Sequence, residues 1–340
     1  MDLLKQIKDK VTSNPDWSGA RGLQSVLTHI EIAERYHHRA KADRDEHLYT
    51  DVIYRTNHAF EGILKEAYVV LAEKPADKLT PHEIEEYLLS SKALRGRVID
   101  LLKNYRQHWR NPSTHDYQLF FSEQESYLAI VTVSAFVSIL LDQMLEKVAY
   151  VAKFRELENE AFLARDRIED FAELPPVEKV WRVIESYASH YLKNFAAMSL
   201  YSRSTANAQL AAFIAKVAPE LSVEQEVVVA NTDQEFIFDL VVADNATRVV
   251  VETREPRSRD VTEAHVISDA AISQLAARLR AAGLNCGVIF FYPGAPDEIP
   301  IATTSSTAWP KDLSLREVYG ADPSEFPDDE HEKPVSLVEE

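Results

Sequence analysis

The chain has 340 residues, of which 46% are hydrophobic and 27% charged, and only 8 are glycine. This composition argues against extensive disorder and provides enough chain for two domains. The formal net charge of −18 excludes a surface that attracts nucleic acid all over, so a nucleic-acid site has to be local. A single cysteine, Cys286, excludes an intramolecular disulfide and Cys-rich zinc sites. Because the first residues lack a secretory hydrophobic segment, we expect a cytoplasmic protein.

Helices are predicted for the first half of the chain. A short helix and a loop are expected at residues 1–22. Apolar residues then recur at helical spacing through residues 23–73, with a break expected at residues 42–45. The segment Thr80-Pro81-His82-Glu83 has the pattern of a capped helix start and predicts a helix to Ser90.

Two adjacent histidines in the first long helix, His37 and His38, lie three and four residues after Glu34. This spacing is able to place metal ligands on one helix face. Arginine and lysine residues surround the pair in sequence, so the pattern favours a solvated face over a metal site.

A basic amphipathic helix is predicted within residues 92–110. Its polar face carries Lys103, Arg106 and Arg110, and the window contains a single acid, Asp100. The apolar face consists of Val98, Leu101, Leu102, Tyr105 and Trp109. The basic face predicts a local phosphate-binding surface, and the alternative is a solvated face that balances an acidic protein.

The basic helix is followed by Arg110-Asn111-Pro112-Ser113-Thr114-His115. Pro112 restricts Asn111 and lacks a backbone donor, so the helix is predicted to end at Arg110 or Asn111 with His115 on the next turn. Imidazole moves protons near neutral pH, and a guanidinium binds phosphate through two parallel donors. Arginine and histidine together therefore suit phosphodiester chemistry, whereas the alternative is a histidine that only caps the turn.

The same six residues fit the pattern RNxxxH, and the segment resembles the active site of the HEPN superfamily of helical ribonuclease and nucleotide-binding domains. The resemblance implies a helical bundle over residues 23–150 and a homodimer with a composite site. It also implies metal-independent RNA cleavage that leaves 2′,3′-cyclic phosphate ends. Arg110 and His115 would be catalytic, with Asn111 orienting His115 or binding a phosphate. Lys103 and Arg106 would guide the RNA strand.

A second hypothesis belongs to another class of protein. Some HEPN domains bind nucleotides or act as dimerising scaffolds without cleaving RNA, so the chain is alternatively a non-catalytic sensor of nucleotides or nucleic acid. The two hypotheses differ in whether RNA is cut.

A long apolar helix is predicted from Glu123 and is expected to continue with increasing charge to Phe171. Its uncharged run, residues 126–141, is too short and too rich in serine and threonine for a membrane span, so a buried helix is expected. The predicted apolar positions are Tyr127, Ile130, Val131, Phe136, Ile139, Leu140 and Leu145.

The second half of the chain changes from helical to strand periodicity. Residues 151–203 are predicted to be a helical connector that bridges two domains, and another helix is expected from Ser204 to Val217. Strands are then predicted at residues 223–230, 235–243 and 248–255, because apolar runs there are separated by turn sequences. A helix at residues 261–282, closed by Gly283, and a strand at residues 286–292 complete an α/β pattern.

This order resembles the core of the PD-(D/E)xK, restriction-endonuclease-like superfamily over residues 204–295, which implies an α/β domain at residues 204–318. In that family an acid on the second strand and an ExK motif on the third hold a divalent metal. Asp239 and Glu252 stand at those places, Gln274 lies on the following helix, and Arg254 replaces the usual lysine. Arginine cannot act as a base, so a degenerate, non-cleaving domain is one prediction. A second prediction is that Asp239 and Glu252 have only a structural role. A third is that the domain is a Mg²⁺-dependent DNA nuclease.

Together the two resemblances imply a multidomain protein, an N-terminal helical bundle joined to an α/β domain. The pairing is similar to effectors of prokaryotic toxin or antiphage-defence systems, which implies RNA as substrate and an antitoxin or other regulatory partner. Residues 319–340 are acidic and rich in proline, and a mobile tail is expected there.

Overall fold

A computed structural model describes residues 3–12, 20–116, 118–157, 161–193, 203–231, 234–244, 246–254, 261–291 and 310–319. Only the backbone is described for Ala20, His115, Tyr319 and residues 161–163, 190–193 and 261–268. The expected acidic tail beyond Tyr319 lies outside the described residues. The chain divides into two compact units, Met1–Val148 and Ala149–Glu340.

The described part of the first unit is helical. Its elements are α1 (Leu3–Thr12), α2 (Ala20–Asp43), α3 (His47–Ala72), α4 (Pro81–Ser90), α5 (Gly96–Tyr105), a π-helical turn (Arg106–Arg110), α6 (Asn111–His115) and α7 (Glu123–Glu156), whose last turns belong to the second unit. The predicted break at residues 42–45 is confirmed, because α2 ends at Asp43 and Arg44 has a left-handed φ of 55°.

The core of the first unit forms where apolar faces of α3, α5 and α7 meet. The ring of Phe60 stacks on Tyr105 with 4.6 Å between ring centroids, and Phe136 lies 5.1 Å from Phe60 on another side. All three side chains are fully buried. The predicted apolar face of the basic helix is confirmed at Val98, Leu102, Tyr105 and Trp109. That burial holds α5 by one face and leaves its basic face outward.

The predicted capping box at the start of α4 is confirmed. The Thr80 backbone N–H donates to Glu83 Oε2 over 2.7 Å, and the Glu83 N–H donates to Thr80 Oγ1 over 3.3 Å. Pro81 occupies the first turn, where its missing N–H costs nothing. These contacts determine where α4 begins.

Helix α7 is a core helix over most of its length. It is long and apolar enough to cross a membrane, but 56% of its most apolar window is buried, as in a core helix of a soluble protein. The predicted apolar positions Tyr127 and Val131 are wrong, because they are 57% and 42% exposed. The predicted position Ile130 is confirmed, since it is buried in a contact with α2 and α3. It ends at Glu156 rather than near Phe171.

His37 does not lie on a solvated face, so that expectation is wrong. Its side chain is 9% exposed, and Nδ1 lies 2.9 Å from Ser126 Oγ of α7. Burial lowers the pKa of His37 below its ordinary value. Within the described residues, no group of three or more His, Cys, Asp or Glu side chains is placed to hold a metal ion.

Glu66 of α3 packs tightly against α2, since a Cβ built on Gly22 would lie 1.8 Å from Glu66 Oε1. Burial raises the pKa of the Glu66 carboxyl group. A carboxyl group whose pKa is higher in the folded protein than in the unfolded protein stabilises the fold at low pH. That stabilisation is lost as the pH rises through the folded-state pKa. We therefore expect Glu66→Gln to raise the melting temperature at neutral pH, with a gain that shrinks on acidification.

Thermal denaturation of the wild type and Glu66→Gln over a pH series checks this expectation. Glu86→Gln, at an exposed position of α4, is the matched control and should change little. If the melting temperature of Glu66→Gln at neutral pH is equal to or below that of the wild type, burial of the ionised Glu66 carboxylate does not destabilise the fold, and the expectation is contradicted.

The second unit is an α/β sandwich. Its described helices are α8 (Ala161–Asp166), a 3-10 turn (Phe171–Glu173), α9 (Pro176–Lys193), α10 (Arg203–Val217) and α11 (Val261–Ala281). Its strands are β1 (Ser222–Ala230), β2 (Glu235–Ala243), β3 (Arg248–Arg254), β4 (Cys286–Phe291) and β5 (Ser314–Tyr319). The four predicted strands and the Gly283 cap, with φ of 68°, are confirmed, while β5 was not predicted.

The described strands form one mixed sheet in the order β1-β2-β3-β4-β5. The pairs β1-β2 and β2-β3 are antiparallel, and the pairs β3-β4 and β4-β5 are parallel. One face of the sheet packs on α9 and α10, with Val249, Val251 and Val288 in that core. The other face packs on α11, with Val250 and Ile289 in that core. Alternate residues of β3 therefore meet different helices.

Helix α9 is part of this sandwich, which differs from the connector predicted at residues 151–203. Val180, Val183 and Ile184 of α9 are buried in the same core as sheet residues such as Val251. Because this apolar stripe needs a partner surface, α9 forms a layer of the α/β unit.

Candidate functional site

The segment that carries the RNxxxH pattern is continuous helix in the structure. The Asn111 N–H donates to the Arg106 carbonyl oxygen, five residues earlier, which closes a π-helical turn between α5 and α6. The prediction that Pro112 ends the helix is therefore wrong, and α6 extends through His115. A proline inside a regular α-helix clashes with the carbonyl four residues back, and the wider π turn accommodates it.

Buried and partly buried hydrogen bonds anchor this turn to α3. The Tyr105 hydroxyl donates to Thr56 Oγ1 over 2.7 Å and lies 3.0 Å from Asn57 Oδ1. Asn57 Nδ2 donates to Ser113 Oγ over 2.8 Å, and Ser113 Oγ donates to the Arg110 carbonyl over 3.1 Å. Burial raises the pKa of Tyr105, so its hydroxyl stays a neutral donor. The carbonyl of Arg110 is thus connected to α3 through Ser113 and Asn57.

The two arginines of the turn differ in how they are held. Arg106 Nη1 lies 3.0 Å from Glu85 Oε2 of α4, and the Glu85 side chain is only 7% exposed. Arg110 Nε lies 3.5 Å from Glu61 Oε1, and Arg110 Nη1 donates to Asn111 Oδ1 over 3.3 Å. Arg106 therefore has a buried structural partner, whereas the Arg110 pair is longer and more open.

An open pocket of about 190 Å³ lies beside the turn and is lined by His82, Glu85, Arg106, Arg110 and Asn111. Three of the predicted site residues, Arg106, Arg110 and Asn111, thus meet in one place. Lys103 is exposed on α5 and is not part of the lining. The side chain of His115 lies outside the described residues.

Sequence reasoning missed His82, Glu85 and Glu61 as neighbours of the arginines. His82 was noticed only as part of the helix start at Thr80, and no pattern indicated that α4 would lie against the basic helix. The one signal that could have indicated a cationic partner is an acid at a position of a short amphipathic helix that becomes buried, as Glu85 does.

The second predicted site, around Asp239 of β2, is occupied by hydrogen-bond donors of the protein itself. Asp239 Oδ2 accepts from the Thr253 N–H at 2.8 Å, from Thr253 Oγ1 at 3.1 Å and from Arg203 Nη2 at 2.5 Å. Asn207 of α10 lies 2.6 Å from Thr253 Oγ1. These contacts join Asp239 to the α10 face of the sheet.

Glu252 of β3 is joined to α11. Its Oε1 lies 2.5 Å from Arg278 Nη1 and its Oε2 lies 3.1 Å from Arg254 Nη1, while Glu252 itself is only 2% exposed. Burial is the main cause that raises the pKa of Glu252, the charge of Asp239 adds to it, and the arginines oppose it. Gln274 is exposed on α11.

This donor set fits an ion-pair cluster rather than a divalent cation. Both oxygens of Glu252 and one oxygen of Asp239 already contact guanidinium groups. A divalent cation needs those oxygens free and is repelled by neighbouring arginines. The cluster therefore supports a structural or binding role for the second unit more than metal-dependent cleavage.

Comparison of the chain with protein-family models, with curated proteins and with solved structures gives no match. The two family resemblances consequently stand on the residues and element order alone. Function has to be argued from the chemistry of the sites.

Proposed function

We propose that the protein is a metal-independent endoribonuclease of the HEPN type, acting through Arg110 and His115. The observation that carries this proposal is the pocket in which Arg110, Asn111 and Arg106 meet. Its guanidinium groups suit an RNA phosphate, and its backbone is anchored by partly buried hydrogen bonds, which favours a preorganised site.

In the proposed reaction the RNA supplies its own nucleophile. The 2′-hydroxyl attacks the adjacent phosphorus, and His115 moves a proton as general base or acid. Arg110 stabilises the negative charge that develops on the phosphoryl oxygens through its two parallel donors. The products are a 2′,3′-cyclic phosphate and a free 5′-hydroxyl. DNA lacks the nucleophile and is not cleaved by this route.

The remaining residues of the site assist binding. Asn111 accepts from Arg110 Nη1 over 3.3 Å, so it orients the guanidinium in addition to any contact with phosphate. Lys103, exposed on α5, attracts the strand by charge. Arg106 contributes positive potential to the pocket while Glu85 holds its side chain in place.

The wider context of this activity is also a proposal. The family resemblance favours a homodimer through the helical unit, a cytoplasmic location and a role as a prokaryotic toxin or antiphage-defence effector. Such an enzyme requires restraint, for which an antitoxin or regulatory partner is the expected means. The second unit would then sense or bind a ligand rather than cut.

Cleavage of a labelled single-stranded RNA in excess EDTA tests the proposed function. We expect the wild type to produce 2′,3′-cyclic phosphate ends, and His115→Ala to lose at least about a hundredfold in rate, since a proton-transfer group contributes that much. An RNA carrying a single 2′-deoxy position should resist cleavage there. Absence of cleavage by a folded wild type, with and without candidate partners, would overturn the proposal.

A binding or sensing protein is the second candidate, favoured by the fact that both pocket arginines have acidic partners. In that case RNA or nucleotide binds, depends on Arg110, and is not cut. The hypothesis of a DNA nuclease would instead be supported by DNA cleavage that requires Mg²⁺ and is lost in Asp239→Asn.

A further inference from the structure

His82 is the one histidine among the residues that line the pocket. It lies in the first turn of α4, where the Thr80–Glu83 capping box determines the start of the helix. His82 is exposed, whereas Glu85 is buried three residues later. Residues three apart share a helix face, so His82 and Glu85 face the π turn together.

The contact between Glu85 and Arg106 holds the helix that carries His82 against the π turn. The 3.0 Å ion pair between the buried Glu85 carboxylate and Arg106 ties α4 to the π turn. Because Glu85 is almost inaccessible to solvent, losing this pair would leave a buried charge, which makes the contact persistent. His82 is thereby kept at the edge of the pocket that Arg110 and Asn111 line.

Cleavage of RNA by its own 2′-hydroxyl requires two proton transfers. One group takes the proton of the 2′-hydroxyl as the bond from O2′ to phosphorus forms. Another gives a proton to the 5′ oxygen as the bond between that oxygen and phosphorus breaks. Lysine and arginine are poor at both tasks near neutral pH, whereas imidazole performs either.

We propose that His82 is a second catalytic residue of this site and that it shares the two proton transfers with His115. The proposal rests on the proposed ribonuclease function. One imidazole acts as the base and the other, protonated, acts as the acid. Protons are conserved, and the step needs no metal, oxidant or reductant.

The test compares His82→Gln with His108→Gln. Glutamine keeps a polar side chain of similar reach but cannot transfer a proton. His108 is an exposed histidine of the π turn that does not line the pocket, so it is the matched control. We expect kcat for RNA cleavage to fall about 10²- to 10⁴-fold in His82→Gln and to stay near wild type in His108→Gln.

The pH dependence of the rate separates catalysis from a structural effect. The wild type should show a bell-shaped profile, and His82→Gln should lose one of its two limbs. Among the described residues, Glu83 interacts with His82 on its own helix, and the charged residues that line the same pocket are Glu85, Arg106 and Arg110. All four are retained in the variant. Added imidazole should restore part of the activity of His82→Ala, which leaves space for it.

Two failures are distinguishable. Cleavage by the wild type that needs His115 but is unchanged in rate and pH profile by His82→Gln would overturn the role of His82 and leave the ribonuclease function standing. No RNA cleavage by a folded wild type would overturn both. Equal melting temperatures of the variants and the wild type would show that a lost limb is not caused by misfolding.

Discussion

Arg110→Ala is expected to lower kcat/KM for RNA cleavage by about 10²- to 10³-fold, the usual cost of removing a donor that stabilises developing charge. The fall should lie mainly in kcat, because the charge on the phosphoryl oxygens is largest in the transition state. Arg110→Lys keeps the charge but loses the planar pair of donors, so it should recover only part of the rate. Single-turnover cleavage with saturating RNA measures the effect directly.

The control for Arg110 is Arg97→Ala, which removes another arginine from an exposed position of α5. If Arg110 acts only through general positive charge, the two variants should lose activity equally and the loss should disappear at high salt. We expect the defect of Arg110→Ala to persist at high salt. Equal and salt-sensitive losses would therefore contradict a catalytic role for Arg110.

Arg278→Met should destabilise the second unit by about 3 kcal/mol, because it removes one of two cations from a buried carboxylate. Glu252 is 2% exposed, and Arg278 also donates to the carbonyl of Ile237 and lies over the ring of Phe238. Arg254 remains beside Glu252 in this variant, which limits the loss. Denaturant unfolding, monitored by a spectroscopic signal that comes from the second unit, measures the free energy of unfolding of that unit.

The effect of Arg278→Met should depend on pH in a defined direction. The pKa of Glu252 is already raised by burial, and Arg278 is the largest influence that lowers it. Removing Arg278 raises that pKa further, so the folded variant holds a proton more readily. Its stability relative to the wild type should therefore be lowest near about pH 8 and recover toward about pH 5.

Two further variants complete the test of this cluster. Glu252→Gln combined with Arg278→Met should recover part of the stability lost in Arg278→Met, because the buried charge is gone. Arg280→Met removes an arginine of the same helix that pairs with Asp312 on the surface, and it should stay close to wild type. If Arg280→Met loses as much stability as Arg278→Met, the burial of the carboxylate partner does not explain the effect of Arg278→Met.

Local signals predicted much of the fold. The capping box at Thr80, the break after Asp43, the left-handed Gly283 and four of the five strands were all readable, because each depends on neighbours within a few residues. The short strand β5 was not predicted, since it carries Arg316 and Glu317 and is completed by pairing with β4.

The candidate sites were predicted less completely than the elements that carry them. The sequence indicated Arg110, Asn111 and Arg106, and the structure brings these three side chains to one pocket. It did not indicate Glu61, Glu85 or His82, because those contacts join helices distant in the chain. Asp239 and Glu252 were likewise chosen from strand positions, without their arginine partners on α10 and α11.

The sequence by itself determined the class of each half, helical and then α/β, because hydrophobic periodicity follows directly from residue order. It also determined which functional groups each half contains: arginine and histidine close together in the first half, and two acidic residues in the second. Only the tertiary structure decided that Pro112 lies within a helix, that His82 reaches the Arg110 pocket, and that guanidinium groups surround Glu252. Those outcomes depend on the packing free energy between segments that are distant in the chain, and a local sequence pattern does not contain that information.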